Sequence, residues 1–597
     1  MTRWLAVAAL ALAAHAQPGG LPTPAGSEGT LKARGFREKF LPAQTEMLAP
    51  EDPEQRRGWL LYHRDRNFEV LPNSRPAPGE RAVRLEVTAT PGAIESQPFS
   101  VYALRAVAGI AAAPRVDAEG PSAWLAAAAK VEDVLFHPIQ YRAEGSREKT
   151  YLRYPVFLRP PAPHPVPAGE SRLYWVTVAV PGTTLAGVYE AAIRVSDGGG
   201  NAVTLPLRVR VLPFRLTEEG VPRFGAFLSG APFATGEFAF MKRYGMDALQ
   251  WFWNSHAIRV LNDNGRVKLD FTAYDAFVAG MREAGMRGPL VLSLGNSWLA
   301  HYEIKLAEAF GLRLMKRTLE GRMVTMADMT DPRFEPLYVA GLRLIFEHAK
   351  TAGWPPLALL IADEPTKHIM AYHPYRYHLV KKYFPEVPVY GVFFQPEKDP
   401  GPLLQSCDIV VANRDFDRMR TLAAEFHKRF WTYNNVSADE SFGKIRLLYG
   451  QIPAYYGSET MWFWCWNYYV GNAWDDFDGW SEKGGGPPES DADWVAVYPS
   501  VDGVEPVRTL AIEAAREAID DVRYLKTLEK LAAAGDPRRW SELRDEIRRR
   551  QQAMFAGIRL DRRIGSDADF FTTARNDDPE RLRAFAIERI LALSGAR

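Results

Sequence analysis

The feature that most constrains the fold is a regular alternation of short apolar runs and helical segments, beginning near residue 213 and ending near residue 494. Eight such units in about 250 residues are typical of a (β/α)8 barrel, the TIM barrel, and fit an open doubly wound sheet less well. No glycine-rich phosphate motif follows the first run, which also disfavours a dinucleotide-binding fold. The predicted strands are 224–228, 247–253, 289–294, 357–362, 387–394, 408–412, 430–434 and 460–467.

The fourth predicted strand ends in two adjacent carboxylates, Asp363 and Glu364, followed by Pro365. An uncharged run of this kind is typical of a buried parallel strand, and its carboxyl end lies at the catalytic face of a barrel. Proline disfavours the helical region for the residue before it, so we expect Glu364 to be extended at the strand mouth. From these residues alone an alternative stays open, in which Asp363 caps a following helix and Pro365 occupies its first turn.

Aromatic and amide side chains follow several of the other predicted strands. Aromatic faces stack on sugar rings, and amides hydrogen-bond to hydroxyl and acetamido groups. Core packing is the alternative for any single tryptophan, but the clustering of these residues at one face favours a carbohydrate site. The candidate substrate-binding residues are Trp253, Asn254, Asn296, Tyr433, Asn434, Trp464, Trp466 and Asn467.

The acidic pair lacks the usual second carboxyl of a glycosidase across the site. No acid follows the seventh strand, and Glu459 opens the eighth strand at the opposite end of the barrel. Adjacent acids suit substrate-assisted hydrolysis, in which an acetamido oxygen of the substrate is the nucleophile. Glu364 would then protonate the leaving oxygen while Asp363 orients the amide. The alternative nucleophiles are the loop acids Asp475, Asp476 and Asp478.

The whole chain is predicted to be multidomain: an N-terminal antiparallel β-sandwich, the central (β/α)8 barrel and a C-terminal helical extension. Residues 1–16 have the charged start, short apolar core and small-residue cleavage site of a signal peptide, which predicts a secreted or periplasmic protein. Residues 17–57 form a Pro/Gly-rich arm or linker, and alternating strands with turn residues predict the sandwich over 58–215. The barrel covers 216–494, and a short strand and helices cover 495–597.

Composition excludes several other classes of function. The 73 Lys+Arg residues balance 72 Asp+Glu, so nothing indicates a nucleic-acid partner, and no apolar run is long enough to insert into a membrane. The spacing of His368, His373 and His378 matches no zinc motif, so no metal or cofactor is expected. Cys407 and Cys465 lie in or beside predicted strands, which favours free core thiols over a disulfide. Nothing in the sequence indicates an oligomeric state.

The order of these segments resembles glycoside hydrolase family 123 and its relatives. Part of the resemblance is in the tail, where Tyr498, Pro499 and Arg508 precede the stretch 515–525 (AREAIDDVRYL). This tail motif looks like the domain of unknown function that closes many such chains. The tail departs from the expected pattern at Ala518 and Val522, and the insert at 475–493 is atypical for the family.

The resemblance implies a β-N-acetylgalactosaminidase-like activity on an oligosaccharide or glycan. It implies that Asp363 stabilises the intermediate and that Glu364 is the acid/base. It also matches Trp464 and Asn467 to residues of the last strand and Tyr433 to an aromatic of the acetamido pocket. Two alternatives remain: a glycosidase for another sugar, and a noncatalytic carbohydrate-binding or cell-surface protein.

Overall fold

The computed structural model describes residues 24–41, 46–115, 120–140, 149–230, 234–251, 258–295, 300–319, 322–364, 374–393, 401–438, 440–469, 472–477, 494–535, 537–555 and 578–595. The predicted signal peptide and much of the insert lie outside these residues. So do the predicted site residues Trp253, Asn254 and Asn296, the loop acid Asp478, and His368 and His373.

Strands dominate the described part of the N-terminal region, as predicted. The strands are β1 Arg37–Glu38, β2 Trp59–Tyr62, β3 Leu85–Ala89, β4 Ile94–Ala103, β5 Val107–Arg115, β6 Ala129–Gln140, β7 Thr150–Arg159, β8 His164–Val166, β9 Ser171–Ala179, β10 Gly187–Ser196 and β11 Ala202–Val211. The helices are α1 Pro24–Ala33, α2 Asp52–Arg57 and α3 Leu125–Ala128.

These strands form two sheets within the described residues, in the orders β1-β7-β6-β9-β4-β2 and β3-β11-β10-β5-β8. Side chains such as Val101 of the first sheet and Val87 of the second share one hydrophobic cluster, so the sheets pack face to face. The pairing is antiparallel except for β1 with β7 and β3 with β11, which are parallel. The sheets are therefore not purely antiparallel as predicted, because strands distant in sequence can pair in either direction.

Eight parallel strands in the described residues close into a barrel, in the order β12-β13-β16-β19-β20-β21-β22-β23. This confirms the predicted barrel. Its strands are β12 Arg223–Leu228, β13 Ala248–Trp251, β16 Leu290–Ser293, β19 Leu357–Leu360, β20 Val389–Phe393, β21 Ile409–Ala412, β22 Arg429–Asn435 and β23 Thr460–Trp464. The helices between them are α4 Glu237–Arg243, α5 Thr272–Glu283, α6 His301–Phe310, α7 Phe334–Ala352, α8 Pro374–Tyr383, α9 Gly401–Ser406, α10 Phe416–Glu425, α11 Phe442–Arg446, a π-helical turn Leu447–Gln451 and α12 Ile452–Tyr456.

Two hairpins interrupt the strand-and-helix alternation, and the sequence reading missed both. They are β14 Arg259–Asp263 with β15 Arg266–Asp270, and β17 Leu314–Leu319 with β18 Arg322–Ala327. The first turns at Asn264 and Gly265, whose φ angles are both positive (51° and 85°). An Asn-Gly pair between alternating segments is a strong signal for this turn, so that hairpin was predictable from sequence.

The tail begins at the barrel mouth and continues as helices. A short strand, β25 Trp494–Val495, pairs antiparallel with β24 Asn467–Tyr468, so the two ends of the insert meet directly after the eighth barrel strand. The tail helices are α13 Leu510–Ala533, α14 Pro537–Phe555 and α15 Asp578–Ser594. Helix α13 lies against the π-helical turn at Gly450, where an added Cβ would come within 2.7 Å of the Ala518 carbonyl oxygen.

A buried network of ion pairs joins the tail to the other two domains. Arg583 of α15 contacts Glu95 of β4 at 3.1 Å, Glu517 of α13 at 2.5 Å and Asp521 of α13 at 2.6 Å. Arg446 of α11 also contacts Asp521, at 2.8 Å. Burial and the charge of Glu517 raise the pKa of Glu95 to about 8. The charged residues of the tail motif therefore hold sandwich, barrel and tail together.

No helix among the described residues is both long and apolar enough to cross a membrane. Cys407 and Cys465 are buried free thiols, as predicted. Burial raises the pKa of each thiol to about 12, so neither is a reactive thiolate at neutral pH.

Candidate active site

The acidic pair lies at the carboxyl end of the fourth barrel strand. Strand β19 ends at Leu360, and Asp363 and Glu364 follow it as partly buried side chains. Glu364 is not extended as predicted, because its φ is 41°, in the left-handed region that non-glycine residues seldom adopt. The chain turns sharply at this residue. The preference of a residue before proline for extended backbone does not predict this conformation. Residues 365–373 are outside the described chain, so the alternative of a helix capped by Asp363 stays untested.

The two carboxyls of the pair affect one another's ionisation. Burial, together with the charge of Glu364, raises the pKa of Asp363 well above its usual range. Burial and the charges of both carboxyls also raise the pKa of Tyr390, a phenol inside the barrel on β20. Two adjacent carboxylates in a partly dry site resist joint ionisation, so burial and the neighbouring charge both favour the protonated form of Asp363.

A short hydrogen-bond chain reaches Glu364 from two other strands. The hydroxyl of Tyr433, on β22, donates to Oε1 of Glu364. That hydroxyl accepts a bond of 2.6 Å from Nδ2 of Asn413, the residue directly after β21. Tyr433 belongs to the cluster inside the barrel, so it does not face the surrounding helices. The predicted location of Tyr433 beside the acidic pair therefore agrees with the structure.

A buried ion pair fixes the helix that follows the acidic pair. Arg376 of α8 contacts Glu303 of α6, with Nη2 and Oε2 at 2.7 Å, and both side chains are almost fully buried. The same Glu303 oxygen accepts from the backbone N–H of Ala327 at the end of β18. Helix α8 is thus tied to α6 and to the second hairpin.

Trp464 ends the eighth strand on the interior side and is partly exposed at the mouth. Its ring lies 5.2 Å from that of Tyr468 and 6.2 Å from that of Phe227, between ring centroids. Trp494, which follows the insert, packs against the same interior cluster. The mouth therefore presents partly exposed aromatic faces on the side of the barrel where the acidic pair lies, as a sugar site requires.

Two other predicted binding residues, Trp466 and Asn467, do not reach the mouth. Trp466 is fully buried, donates from its indole N–H to Glu237 and packs with the helices. Asn467 is 1% exposed, and its side-chain oxygen accepts from the backbone N–H of Ser229 at 3.0 Å. The sugar-binding prediction is wrong for both residues, because the strand ends at Trp464 and strict alternation of side chains ends with it.

Asn434 also points away from the site. Its register partner on β23 is Phe463, which packs with the helices, so the pleat turns Asn434 away from the barrel interior. No described contact links it to the acidic pair. The prediction that it binds substrate is therefore not supported by its position.

The alternative acids are engaged elsewhere. Asp476 is buried and accepts from the backbone N–H of Gln140 in the sandwich at 2.8 Å. Asp475 accepts from the backbone N–H of Phe477 at 3.0 Å. Glu459 precedes β23 at the opposite end of the barrel, where it pairs with Arg429 at 2.6 Å. Asp476 is therefore bonded to the sandwich, and Glu459 lies at the end of the barrel opposite the pair.

Sequence reasoning missed two residues of this region. Asn413 follows an apolar strand directly, as Asp363 and Glu364 follow theirs closely, so its position after 408–412 was an available signal. Tyr390 lies within its strand, and nothing in the sequence separates it from an ordinary core aromatic. The part of the chain that the structure describes contains no group of three His, Cys, Asp or Glu side chains that could hold a metal.

Comparison with known proteins agrees with this geometry. Residues 242–528 match the sequence model of the glycoside hydrolase 123 catalytic domain. The protein is glycoside hydrolase 123-like. The matched region runs from the end of α4 to α13, so it contains the acidic pair, Asn413, Tyr433 and Trp464.

One solved structure shows the same fold. The chain is similar to a family 123 glycoside hydrolase from Clostridium perfringens, studied for glycolipid glycan hydrolysis, with a TM-score of 0.64 and 12% identity over 89% of this chain and 100% of that chain. A family 39 glycoside hydrolase from Bacteroides cellulosilyticus gives a TM-score of 0.35 and 12% identity over 73% of this chain and 82% of that chain. No curated protein matches the chain.

Proposed function

We propose that this glycoside hydrolase 123-like protein removes a terminal 2-acetamido sugar, of the β-N-acetylgalactosamine type, by substrate-assisted retaining hydrolysis. The observation that carries the proposal is the adjacent pair Asp363 and Glu364 at the barrel mouth, with Tyr433 donating to Glu364. A retaining site with a protein nucleophile needs a second carboxyl about 5 Å across the sugar. Asp476 and Glu459, two carboxyls that could have supplied it, are bonded elsewhere, and the sugar's acetamido oxygen can take its place.

The two carboxyls have different roles in this mechanism. The substrate N–H donates to Asp363, which favours the ionised form of Asp363 and leaves the shared proton on Glu364. Glu364 gives that proton to the glycosidic oxygen as the bond from C1 to that oxygen breaks and the acetamido oxygen bonds to C1. Water then attacks C1 as the bond from C1 to the acetamido oxygen breaks, and Glu364 takes a proton from the water, so the sugar leaves with its original configuration.

The remaining features of the proposal concern substrate contact and location. Trp464 supports one face of the sugar, since its ring is partly exposed at the mouth. We also propose that residues 1–16, which have the pattern of a signal peptide, direct the protein to the periplasm or outside the cell, where polymeric glycans are accessible.

A panel of aryl β-glycosides, each with or without a 2-acetamido group, tests the proposed sugar class. We expect turnover of the N-acetylgalactosaminide and at least about 10²-fold lower kcat/KM for the matched galactoside, because the latter lacks the nucleophile. Faster turnover of the plain galactoside would favour a glycosidase of other specificity. No turnover of any glycoside, with binding of the N-acetyl sugar intact, would favour a carbohydrate-binding protein.

A further inference from the structure

We propose that Asn413 is a positioning residue for the acid Glu364 and acts through the hydroxyl of Tyr433; this rests on the proposed function. Asn413 is 8% exposed and directly follows β21. Its Nδ2 donates to the Tyr433 hydroxyl at 2.6 Å, and that hydroxyl donates to Oε1 of Glu364. Tyr433 within β22 and two residues that follow β21 and β19 therefore form one directed chain.

The direction of the chain follows from the number of protons available. A tyrosine hydroxyl carries one proton, and its oxygen can accept another hydrogen bond. Because Asn413 donates to that oxygen, the hydroxyl proton is free to point at Glu364. A hydrogen bond given to a carboxylate favours its charged form, so the chain opposes the burial and the like charge that Asp363 brings.

The side-chain oxygen of Asn413 shows why the amide's orientation matters. This Oδ1 is buried and has no hydrogen-bond partner within the part of the chain that the structure describes. With the amide reversed, the Tyr433 hydroxyl would donate to Oδ1 of Asn413 and its proton would turn away from Glu364. The orientation of one amide thus decides whether the acid has a donor beside it.

This arrangement has a use during the reaction. Glu364 becomes a carboxylate when it protonates the leaving oxygen, and a donor already aimed at it stabilises that charge without reorganisation. The same bond keeps the pKa of the acid from rising too far above the working pH. The phenols of Tyr390 on β20 and Tyr377 on α8 are also influenced by the charges of the pair. Burial raises the pKa of both, so neither titrates near neutral pH.

The test compares pH profiles of kcat/KM for the wild type, Asn413→Leu, Tyr433→Phe and the double variant. In Asn413→Leu we expect the basic limb to move up by about half to one pH unit, since one neutral hydrogen bond is lost. We expect kcat/KM to fall about tenfold for a glycoside with a poor leaving group and less for an activated aryl glycoside, which needs little acid assistance. In the double variant, Asn413→Leu should shift the basic limb no further than Tyr433→Phe does alone.

Gln250→Leu is the matched control. Gln250 is a fully buried amide of β13 whose side-chain atoms have no partner, so its removal should leave the pH profile unchanged. Asn413→Asp is the second variant if Asn413→Leu does not fold; its carboxylate accepts from Tyr433, so the limb should again move up. The proposal would be overturned if the basic limb of Asn413→Leu stayed at its wild-type position. It would also be overturned if Asn413→Leu lowered kcat/KM equally for both substrates and these losses added to those of Tyr433→Phe. If the pH profile of Glu364→Gln still shows the basic limb, Glu364 is not the acid. That result would contradict the proposed function, and it is distinguishable from failure of the Asn413 proposal alone.

Discussion

Replacing Glu364 by glutamine should lower kcat/KM about 10³-fold for glycosides with a poor leaving group and less than about tenfold for an activated aryl glycoside. Glutamine keeps the shape of the side chain and accepts the bond from Tyr433, but it has no proton to give. A poor leaving group departs only as its oxygen is protonated. An activated aryl leaving group departs as an anion and scarcely needs the acid.

The matched variant is Asp363→Asn. Asp363 is expected to hold the acetamido group and stabilise the positive charge of the cyclised intermediate. That step occurs with every leaving group, so both substrates should lose about 10²-fold or more in kcat/KM. Measured side by side, the two variants should differ in how the loss depends on the leaving group. Equal losses for both substrates in Glu364→Gln would contradict its assignment as the acid.

Replacing Arg583 by methionine should lower the free energy of unfolding by about 3 to 5 kcal/mol. Arg583 is buried and contacts the carboxyls of Glu95, Glu517 and Asp521, which lie on the sandwich and on α13. Methionine fills similar space but leaves these groups without that cation. Buried carboxyls that lose a partner are costly, because water cannot replace the lost interaction.

Arg581→Met, on the same helix, is the control for this measurement. Arg581 is exposed and lies 4.0 Å from Asp578, so its substitution should change the free energy of unfolding by less than about 0.5 kcal/mol. Urea unfolding of both variants, followed by fluorescence, gives the comparison. Similar small losses in the two variants would show that the network does not hold the three domains together.

The barrel was predictable because its strands leave a strong pattern. A parallel strand is buried on both faces, so each appears as a short uncharged run between helical segments, as 409–412 and 357–360 do. The acidic pair was predictable for a related reason, since two charges after such a run must lie near the strand's carboxyl end. The ion-pair network was not predictable, because Glu95 and Arg583 are far apart in sequence and meet only when three domains have packed.

The errors at Trp466, Asn467 and Glu364 have one physical cause. Sequence alternation tells which way a side chain points only while the strand continues. Trp464 lies inside the last strand and faces inward as expected. Trp466 and Asn467 follow its end, and local bends direct them into the core. Glu364 likewise follows the end of its strand. Its position before a proline predicts an extended conformation and not the left-handed one that the structure shows.

Inhibition by a thiazoline that mimics the cyclised intermediate of an N-acetyl sugar tests the central claim most directly. If the acetamido oxygen is the nucleophile, the site is complementary to this cyclic state, and the thiazoline should bind at least about 10²-fold tighter than the free N-acetyl sugar. Asp363→Asn should remove most of that gain, since Asp363 is the group expected to bind the ring nitrogen. Weak inhibition, together with a covalent glycosyl adduct on the protein, would contradict substrate assistance and indicate a nucleophile supplied by the chain.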